Sequence, residues 1–358
     1  MKNKLDIVEK RLVIVTSEYC LINILKICDE NVVRARDIKL LLFDSFPTAL
    51  ELYKKLLRLG VFDSVYLVRC RTTSRRYELK KICLQAVKYR MKSNEVKEIW
   101  IGAHGSLAIM MFSFIIVMGN AKIGIVYYEE GFSSYTIDFD ELALNEGINR
   151  WVYNNIINID KRFVSPITIW LNRPDIAYKQ YSCIEKIPKE FCMSSQAIYD
   201  ELWREATSDL SKKYIFFGSY SVRRNLINLD AEKRILSHIN QDGDLARQFL
   251  LKKHPRNDEQ YYYENIEALT EPIAWEVMVR DSLSNTKVLI SVMSTGTYAG
   301  NFIWERNDII VFLYQILLDR TSQEYKGMEV FVTRLKKCGF KVYCPNNEAE
   351  FWELLKVI

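Results

Sequence analysis

The sequence predicts an α/β protein of two Rossmann-like domains, each with a parallel sheet. Short apolar segments rich in β-branched residues alternate with helical patterns along the 358-residue chain, and this alternation is typical of parallel sheets with helices on both faces. The same rhythm restarts in the second half of the chain. A hydrophobic content of 49% and a charged content of 27% are ordinary for a folded protein and provide enough apolar side chains for two cores.

Each strand of the first half is predicted from an apolar run that ends in polar or turn-forming residues. Thr16 and Ser17 follow the first run and open a helical pattern, and Gly60 is suited to end the second helix. The apolar segment Leu107–Met118 is shorter than the roughly 20 residues that span a bilayer, so it is predicted to be a buried core element. The predicted strands are Arg11–Val15, Ile38–Phe43, Val65–Val68, Glu98–Gly102 and Ile123–Tyr128, and the predicted helices reach from Ser17 to about Cys28, from Leu50 to Leu59 and from Tyr77 to Met91.

The second half begins after a connector. Ile167–Leu171 is predicted as a last strand of the first half, and Asn172–Pro188 lacks periodicity, so we expect domains at residues 1–180 and 181–358. Tyr263–Val279 is acid-rich and partly helical in pattern. The predicted strands are Lys213–Gly218, Gln248–Lys252, Lys287–Val292, Asp308–Leu313 and Phe340–Tyr343, and the predicted helices are Ser195–Thr207, Asp230–His238, Gly327–Cys338 and Ala349–Val357.

Two such domains facing a central cleft would give a GT-B-like architecture. The chain contains neither a G-x-G-x-x-G fingerprint nor a G-x-x-x-x-G-K-[ST] sequence, so dinucleotide-binding and P-loop functions lose support. Asp138 and Asp140 have the spacing of a metal-binding Asp-x-Asp, but they precede a helical pattern and are interpreted as a helix cap. No metal or cofactor is expected.

The charge and the cysteine content limit which partners and which cellular compartment are expected. The formal net charge is +5, with Lys and Arg spread among acids, which does not indicate a nucleic-acid protein. The cysteines are scattered and form no C-x-x-C, so free thiols in a reducing cytoplasm are expected. The N-terminal residues lack the apolar segment of a signal peptide. We therefore expect a cytoplasmic protein, with peripheral association at the inner face of the membrane permitted by its mild basicity.

The first stretch whose side chains could take part in a reaction is IGIVYYEEGFSSY, which spans Ile123–Tyr135. A buried strand is predicted to run into the adjacent carboxylates Glu129 and Glu130, and Ser133 follows Gly131. Ligands of open α/β sheets bind at the carboxyl ends of strands. Mutual repulsion and partial burial raise the pKa of at least one of two adjacent carboxylates toward the range of a general base. A solvated turn is the alternative interpretation.

The second stretch is LLKKHPRND, in which His254 and Pro255 follow an apolar run and two lysines. A phosphate bound among these cations would raise the pKa of the imidazole and make it a hydrogen-bond donor. His104 also follows a predicted strand, and there a structural role and a position in a cleft are both open. His238 lies within a helical pattern and is interpreted as structural.

The third stretch is VMSTGTYAG, with Ser294, Thr295 and Gly296 between a predicted strand and a predicted helix. Backbone N–H groups and hydroxyls in this position can bind a phosphate. An ordinary capped helix start, with Ser294 or Thr295 as N-cap, is the alternative.

These three stretches resemble three motifs of bacterial sialyltransferases. YEEGFSSY resembles their Asp/Glu-Asp/Glu-Gly motif, KKHP their His-Pro motif and MSTGT their Ser-Ser/Thr motif. Their order and rough spacing match, and most of the chain fits the family's two-domain plan. The resemblance is to the family of lipooligosaccharide and capsular-polysaccharide sialyltransferases, with the bacterial polysialyltransferases as neighbours.

The resemblance implies an inverting, metal-independent transfer of sialic acid from CMP-sialic acid to a terminal galactose hydroxyl of a capsular polysaccharide or lipooligosaccharide. The N-terminal domain would carry the general base, for which Glu130 is favoured over Glu129, and the C-terminal domain would bind CMP. The family often has Asp where this chain has Glu. The implied donor-site residues are His254, Pro255, Ser294, Thr295 and Gly296, with Glu271 and Glu276 as candidates for ribose or cytosine contacts or for a solvated helix face.

Several features stay open at this level. His104 and Ser133 are the candidates for acceptor contacts. A related GT-B glycosyltransferase with another nucleotide sugar is the alternative function. The partners in either case are a nucleotide sugar and an oligosaccharide or lipid-linked glycan. The linkage formed (α2,3, α2,6 or α2,8) and the oligomeric state do not follow from the sequence.

Overall fold

The computed structural model describes residues 10–28, 33–69, 75–90, 95–102, 112–113, 115–117, 123–128, 179–181, 193–204, 210–219, 226–253, 263–269, 273–280 and 286–358. These residues divide into two compact units. The first contains the described residues up to Arg204, and the second contains those from Leu210 onward.

The first unit is built on a six-stranded, wholly parallel sheet with the strand order β3-β2-β1-β4-β5-β6. Its strands are β1 (Lys10–Val15), β2 (Ile38–Phe43), β3 (Ser64–Val68), β4 (Val96–Ile101), β5 (Gly124–Tyr128) and β6 (Lys179–Tyr181). Its helices are α1 (Glu18–Ile27), α2 (Ala49–Leu59), α3 (Arg75–Arg90) and α4 (Met193–Leu202), with a 3-10 turn at Ala35–Asp37.

Local sequence explains where these elements begin and end. The Ser17 hydroxyl caps α1 by accepting the Cys20 N–H at 3.1 Å, and Gly60 ends α2 in the left-handed conformation with φ of 60°, which glycine adopts without strain. Phe112, Ile116 and Val117, in the part of Leu107–Met118 that is described, are helical and buried in the core beside Ile14. That part of the predicted buried element is confirmed.

Helix α4 groups with the first unit, although the predicted domain boundary assigns its residues to the second. The Ser195 hydroxyl donates to the Cys28 carbonyl at 3.2 Å, and Lys55 Nζ donates to the Leu202 carbonyl at 2.9 Å. These bonds tie α4 to the end of α1 and to the middle of α2. Strand β6 lies within the segment that was predicted to be a connector. Its own sequence does not predict a strand, and it forms one because it pairs with β5.

The second unit repeats the plan, with the strand order β12-β11-β10-β7-β8-β9 and all pairs parallel. Its strands are β7 (Tyr214–Phe217), β8 (Phe249–Lys252), β9 (Glu267–Leu269), β10 (Val288–Ser291), β11 (Ile309–Phe312) and β12 (Val342–Tyr343). Its helices are α5 (Leu229–Gln241), α6 (Gly243–Ala246), α7 (Trp275–Met278), α8 (Gly296–Ile303), α9 (Tyr314–Leu317), α10 (Gln323–Lys337) and α11 (Glu348–Val357).

In chain order both sheets read 3-2-1-4-5-6, the Rossmann arrangement. The prediction of two parallel-sheet α/β domains is therefore confirmed. Strand β9 was not predicted, because it lies in the acid-rich segment that was interpreted as partly helical. The expectation that the two sheets face a cleft stays a prediction.

A buried ion pair fixes the amino ends of β10 and β11. Arg306 Nε lies 2.6 Å from Asp308 Oδ2, and the two side chains are 6% and 1% exposed. Asp308 also accepts the Lys287 N–H at 2.8 Å, and its own backbone exchanges hydrogen bonds with the Asn301 amide. The pair thus joins two strands to α8.

We predict that Asp308→Ala lowers the free energy of unfolding by about 3–5 kcal/mol, because it leaves the Arg306 charge buried without its carboxylate. Urea denaturation followed by circular dichroism measures the change. Lys356→Ala is the matched control: its pair with Glu353 is exposed, so the loss should stay below about 1 kcal/mol. Equal losses in the two variants would contradict the prediction.

Candidate functional site

The second sheet changes strand order between β7 and β10, which are parallel neighbours with Phe217 opposite Ser291. Strand β8 flanks β7 on its other side. Chain connections therefore leave the carboxyl ends of β7 and β10 in opposite directions and open a crevice there, which is where α/β sheets bind ligands. We call this the switch point of the second sheet.

Close packing sets the path of the chain from β10 into α8. A Cβ on Gly296 would lie 2.6 Å from Cε1 of Phe217, so only glycine lets the first turn of α8 approach β7 this closely. The Phe217 ring packs edge-on against Trp275 at a centroid distance of 5.3 Å. Gly296 was predicted to belong to the donor site, and here it places α8 beside the end of β7.

Ser294 and Thr295 lie at the switch point and are partly exposed. The Ser294 Oγ accepts the Gly296 N–H at 3.3 Å, and the Ser294 N–H donates to Ser291 Oγ at 3.1 Å. Within the described chain, the Ser294 hydroxyl proton is donated to no protein group. A hydroxyl that accepts one bond and keeps its proton can cap the helix and still donate to a phosphate oxygen. The two interpretations of this stretch are therefore compatible.

Glu232, in the first turns of α5, reaches the other side of the switch point. Its Oε1 accepts the Ser219 N–H at 3.0 Å, Glu232 is 1% exposed, and its Oε2 has no hydrogen-bond partner among the described residues. Burial raises the pKa of Glu232 above its usual value, an effect that the hydrogen bonds from Ser219 and the charge of Lys233 oppose. A buried carboxyl oxygen without a partner is unusual in folded proteins and calls for an explanation.

The end of β8 is tied to the segment that carries Glu276. Lys252 Nζ, at the carboxyl end of β8, donates to the Ile273 carbonyl at 3.0 Å, and the Glu276 carbonyl accepts the Trp304 indole N–H at 2.7 Å. Glu276 is only 7% exposed, so the interpretation of its position as a solvated helix face is wrong: α7 packs into the core through Trp275. A contact of Glu276 with the nucleoside stays a prediction.

The switch point of the first sheet, between β1 and β4, is covered by an aromatic ring. The Tyr128 hydroxyl donates to the carbonyl of Ile14 in β1, and a Cβ on Gly102, directly after β4, would lie 2.8 Å from the Tyr128 ring. Tyr128 is the last residue of β5 and directly precedes the acidic pair in sequence. The strand end from which the acidic pair departs is therefore anchored.

Most of the predicted site residues lie outside the described part of the structure, and their predicted roles stay predictions. Only Ser294, Thr295, Gly296 and Glu276 can be placed, and the first three meet at one point of the fold. The residues outside the described ranges are His104, Glu129, Glu130, Ser133, His254, Pro255 and Glu271.

Sequence reasoning missed further polar groups at the same edge of the second sheet. Ser219 directly follows the predicted strand Lys213–Gly218, and Glu232 lies in the predicted helix Asp230–His238. Gln315 follows β11; its Nε2 donates to the Tyr314 hydroxyl at 3.2 Å, and its buried Oε1 has no partner within the ranges that the structure describes. Burial raises the pKa of Tyr314 to about 12, so this phenol stays protonated. For Ser219 and Gln315 the available signal was a position one or two residues after a predicted strand, whereas Glu232 lies in a helix and had no such signal.

His238 has a different environment from the buried polar groups described above. It is exposed, and its ring packs on Trp352 at 4.5 Å between centroids, beside a groove of about 590 Å³ between α5 and α11. The Arg234–Glu348 pair, 3.1 Å apart, spans the same two helices. The interpretation of His238 as structural fits this packing.

The described residues bear on metal binding, thiol chemistry and membrane insertion. Among them, no group of three or more His, Cys, Asp or Glu side chains is arranged around a metal position. The cysteines described in these ranges form no disulfide, and burial raises the pKa of Cys344 to about 11. No helix in these ranges combines the length and the apolarity needed to cross a membrane.

No protein-family model matches the chain, and a search of curated proteins finds no match. Solved structures of similar fold include UDP-GlcNAc 2-epimerase from Methanocaldococcus jannaschii, with 9% identity, a TM-score of 0.51, and coverage of 97% of this chain and 92% of that one. Another is an α/β-galactoside α-2,3-sialyltransferase from the luminous marine bacterium Photobacterium phosphoreum, with 12% identity, a TM-score of 0.49, and coverage of 94% and 98%. At these identities the likeness concerns the fold alone, which is GT-B-like.

We predict that Gly296→Ala lowers the free energy of unfolding by about 1–3 kcal/mol, because the new methyl group collides with the packed Phe217 ring. Gly218→Ala is the matched control, since a Cβ there would meet its nearest atom, the Lys252 carbonyl oxygen, at an ordinary 3.8 Å. Thermal and urea unfolding measure both variants. A Gly296→Ala protein as stable as the Gly218→Ala protein would show that this close packing does not constrain the turn.

We also predict a pH-dependent stability difference between the wild type and Glu232→Gln. Because the folded-state pKa of Glu232 is raised, folding takes up a proton, and the favourable contribution is complete below the unfolded pKa and lost as the pH rises through the folded pKa. The wild type should therefore lose stability relative to Glu232→Gln as the pH increases from about 4 to neutrality. Urea denaturation across this range tests it, with Ser237→Ala as a non-titrating control. A difference of the opposite sign contradicts the raised pKa.

Proposed function

We propose that the protein is an inverting sialyltransferase that uses CMP-sialic acid and transfers sialic acid to a terminal galactose hydroxyl of a bacterial capsular polysaccharide or lipooligosaccharide. The resemblance of the acidic, His-Pro and Ser-Thr stretches to sialyltransferase motifs supports this proposal. The GT-B-like fold is compatible with it, and equally compatible with other nucleotide-sugar enzymes.

The observation that carries the proposal is the position of Ser294. This residue follows β10 at the switch point, is partly exposed, and keeps a hydroxyl proton that no protein group accepts within the described residues. A serine in this position is suited to hold the phosphate of CMP, together with the Thr295 hydroxyl. The Ser-Thr stretch is the part of the family resemblance for which the structure supplies an environment.

The proposed mechanism is a single displacement. Glu130, or alternatively Glu129, takes the proton from the acceptor hydroxyl as the hydroxyl attacks the anomeric carbon. Bond breaking to CMP proceeds through an oxocarbenium-like transition state, so stabilising the departing phosphate matters more than the strength of the base. His254 hydrogen-bonds or protonates that phosphate, Ser294 and Thr295 hold it, and Pro255 shapes the nucleotide pocket.

The proposed enzyme would act on the cytoplasmic side of the membrane, where CMP-sialic acid and a lipid-linked or oligosaccharide acceptor are its substrates. Neither a metal nor a cofactor takes part in the proposed step. A related GT-B glycosyltransferase with another nucleotide sugar is the alternative, and the identity of the stabilising nucleotide separates the two.

We expect CMP, and not UDP or GDP, to raise the melting temperature, because a ligand that binds only the native state stabilises it by mass action. We further expect the wild type to transfer sialic acid from CMP-sialic acid to a lactose-type acceptor, with the linkage read from the product by NMR. Glu130→Gln and His254→Ala should keep the wild-type circular dichroism spectrum and lose transfer by about 100-fold or more.

Ser237→Ala, on the outer face of α5, is the control that should transfer at the wild-type rate. Normal turnover by either Glu130→Gln or His254→Ala would overturn the assigned role. Stabilisation by UDP or GDP in place of CMP would favour the alternative glycosyltransferase. Absence of a response to any nucleotide would remove the enzyme hypothesis.

A further inference from the structure

Glu232 terminates β7. The Gly218 N–H still belongs to the sheet, since it donates to the Lys252 carbonyl at 3.0 Å. The next amide, that of Ser219, donates instead to Glu232 Oε1 at 3.0 Å. The carboxyl group thus takes the place of a strand partner for the Ser219 amide at the switch point.

Packing does not explain the free-energy cost of burying the Glu232 carboxyl group. Glu232 is 1% exposed, and in the described part of the chain its Oε2 has no partner. A buried polar atom in that state costs about 1–3 kcal/mol. A residue that breaks a local rule of stability in this way is expected at a functional position.

Ser219 follows the strand that lies between the two strands leading into the His-Pro and Ser-Thr stretches. Strands β8 and β10, which lead in sequence into His254 and Ser294, flank β7 on its two sides. Their ends are therefore separated by two strand spacings, about 10 Å. A nucleotide phosphate that is reached from both sides has to lie across the end of β7, where Ser219 is.

We propose that Glu232 is a positioning residue for the donor nucleotide. Glu232 holds Ser219 in place so that Ser219 is a further binding group beside Ser294. This inference rests on the proposed function, and it assigns to β7 a contribution that none of the three sequence motifs contains. Glu232 acts through Ser219 and does not itself contact the nucleotide.

Isothermal titration calorimetry with CMP on the full chain tests the inference. Glu232→Ala should weaken CMP binding about tenfold or more, because the Ser219 N–H loses its acceptor and Ser219 is no longer held in position. Glu232→Gln keeps an acceptor oxygen and should bind CMP within about threefold of the wild type. Asp230→Ala, which removes an exposed carboxylate from the same turn of α5, should bind as the wild type does.

A double-mutant cycle separates positioning from a general loss of structure. Ser219→Ala should weaken CMP binding, and adding Glu232→Ala to it should cost less than Glu232→Ala costs alone, because the two residues act as one unit. The unfolding midpoint of each variant is measured in parallel. Additive effects, or a Glu232→Gln protein that binds as weakly as Glu232→Ala, overturn the inference.

The remaining outcomes also decide the question. If Glu232→Ala does not fold, wild-type affinity of Ser219→Ala overturns the inference. If the wild type binds CMP and Glu232→Ala binds it equally well, the inference fails while the proposed function stands. If the wild type binds no nucleotide, the proposed function fails and the inference fails with it.

Discussion

The pairing of β7 with β10 is the constraint on which the candidate site depends. The two strands lie more than 70 residues apart in sequence, yet Phe217 lies opposite Ser291 in a parallel register. A shift of one residue would turn Phe217 to the other face of the sheet. Its ring would then no longer meet Gly296 and Trp275, and α8 would lose the support that places Ser294 beside the end of β7.

The two ends of the second sheet differ in how completely their polar groups are paired. At the amino ends of β10 and β11, the Arg306–Asp308 pair and the Asn301 amide satisfy one another and the backbone around them. Near the carboxyl ends, one oxygen of Glu232 and one of Gln315 are buried and have no partner among the residues described. A fully bonded network stabilises and fixes one end, whereas unpaired groups at the other end lower stability and leave capacity for a ligand.

Most elements could be predicted from sequence because their signals are local. Apolar runs predicted β1, β2 and β10, and Ser17 marked the start of α1. Strands β6 and β9 could not be predicted, because each is a three-residue edge strand whose sequence, KQY or EAL, has no strand pattern. Such strands exist through pairing with a neighbour, which is a tertiary effect. For the same reason Ser294 could be found at a strand end, while the link between Glu232 and Ser219 needs the folded chain.

The two switch points are similar in packing and differ in their polar groups. In the first sheet, the Tyr128 hydroxyl donates to the Ile14 carbonyl, and the Tyr128 ring leaves no room for a Cβ on Gly102. In the second sheet, the Phe217 ring approaches Gly296 as closely, but the partly exposed Ser294 and Thr295 directly precede that glycine. These hydroxyls favour the second sheet as the place of the proposed nucleotide. In the proposed mechanism the first sheet contributes the acidic pair, which follows in sequence the strand end that the Tyr128 hydroxyl bond holds.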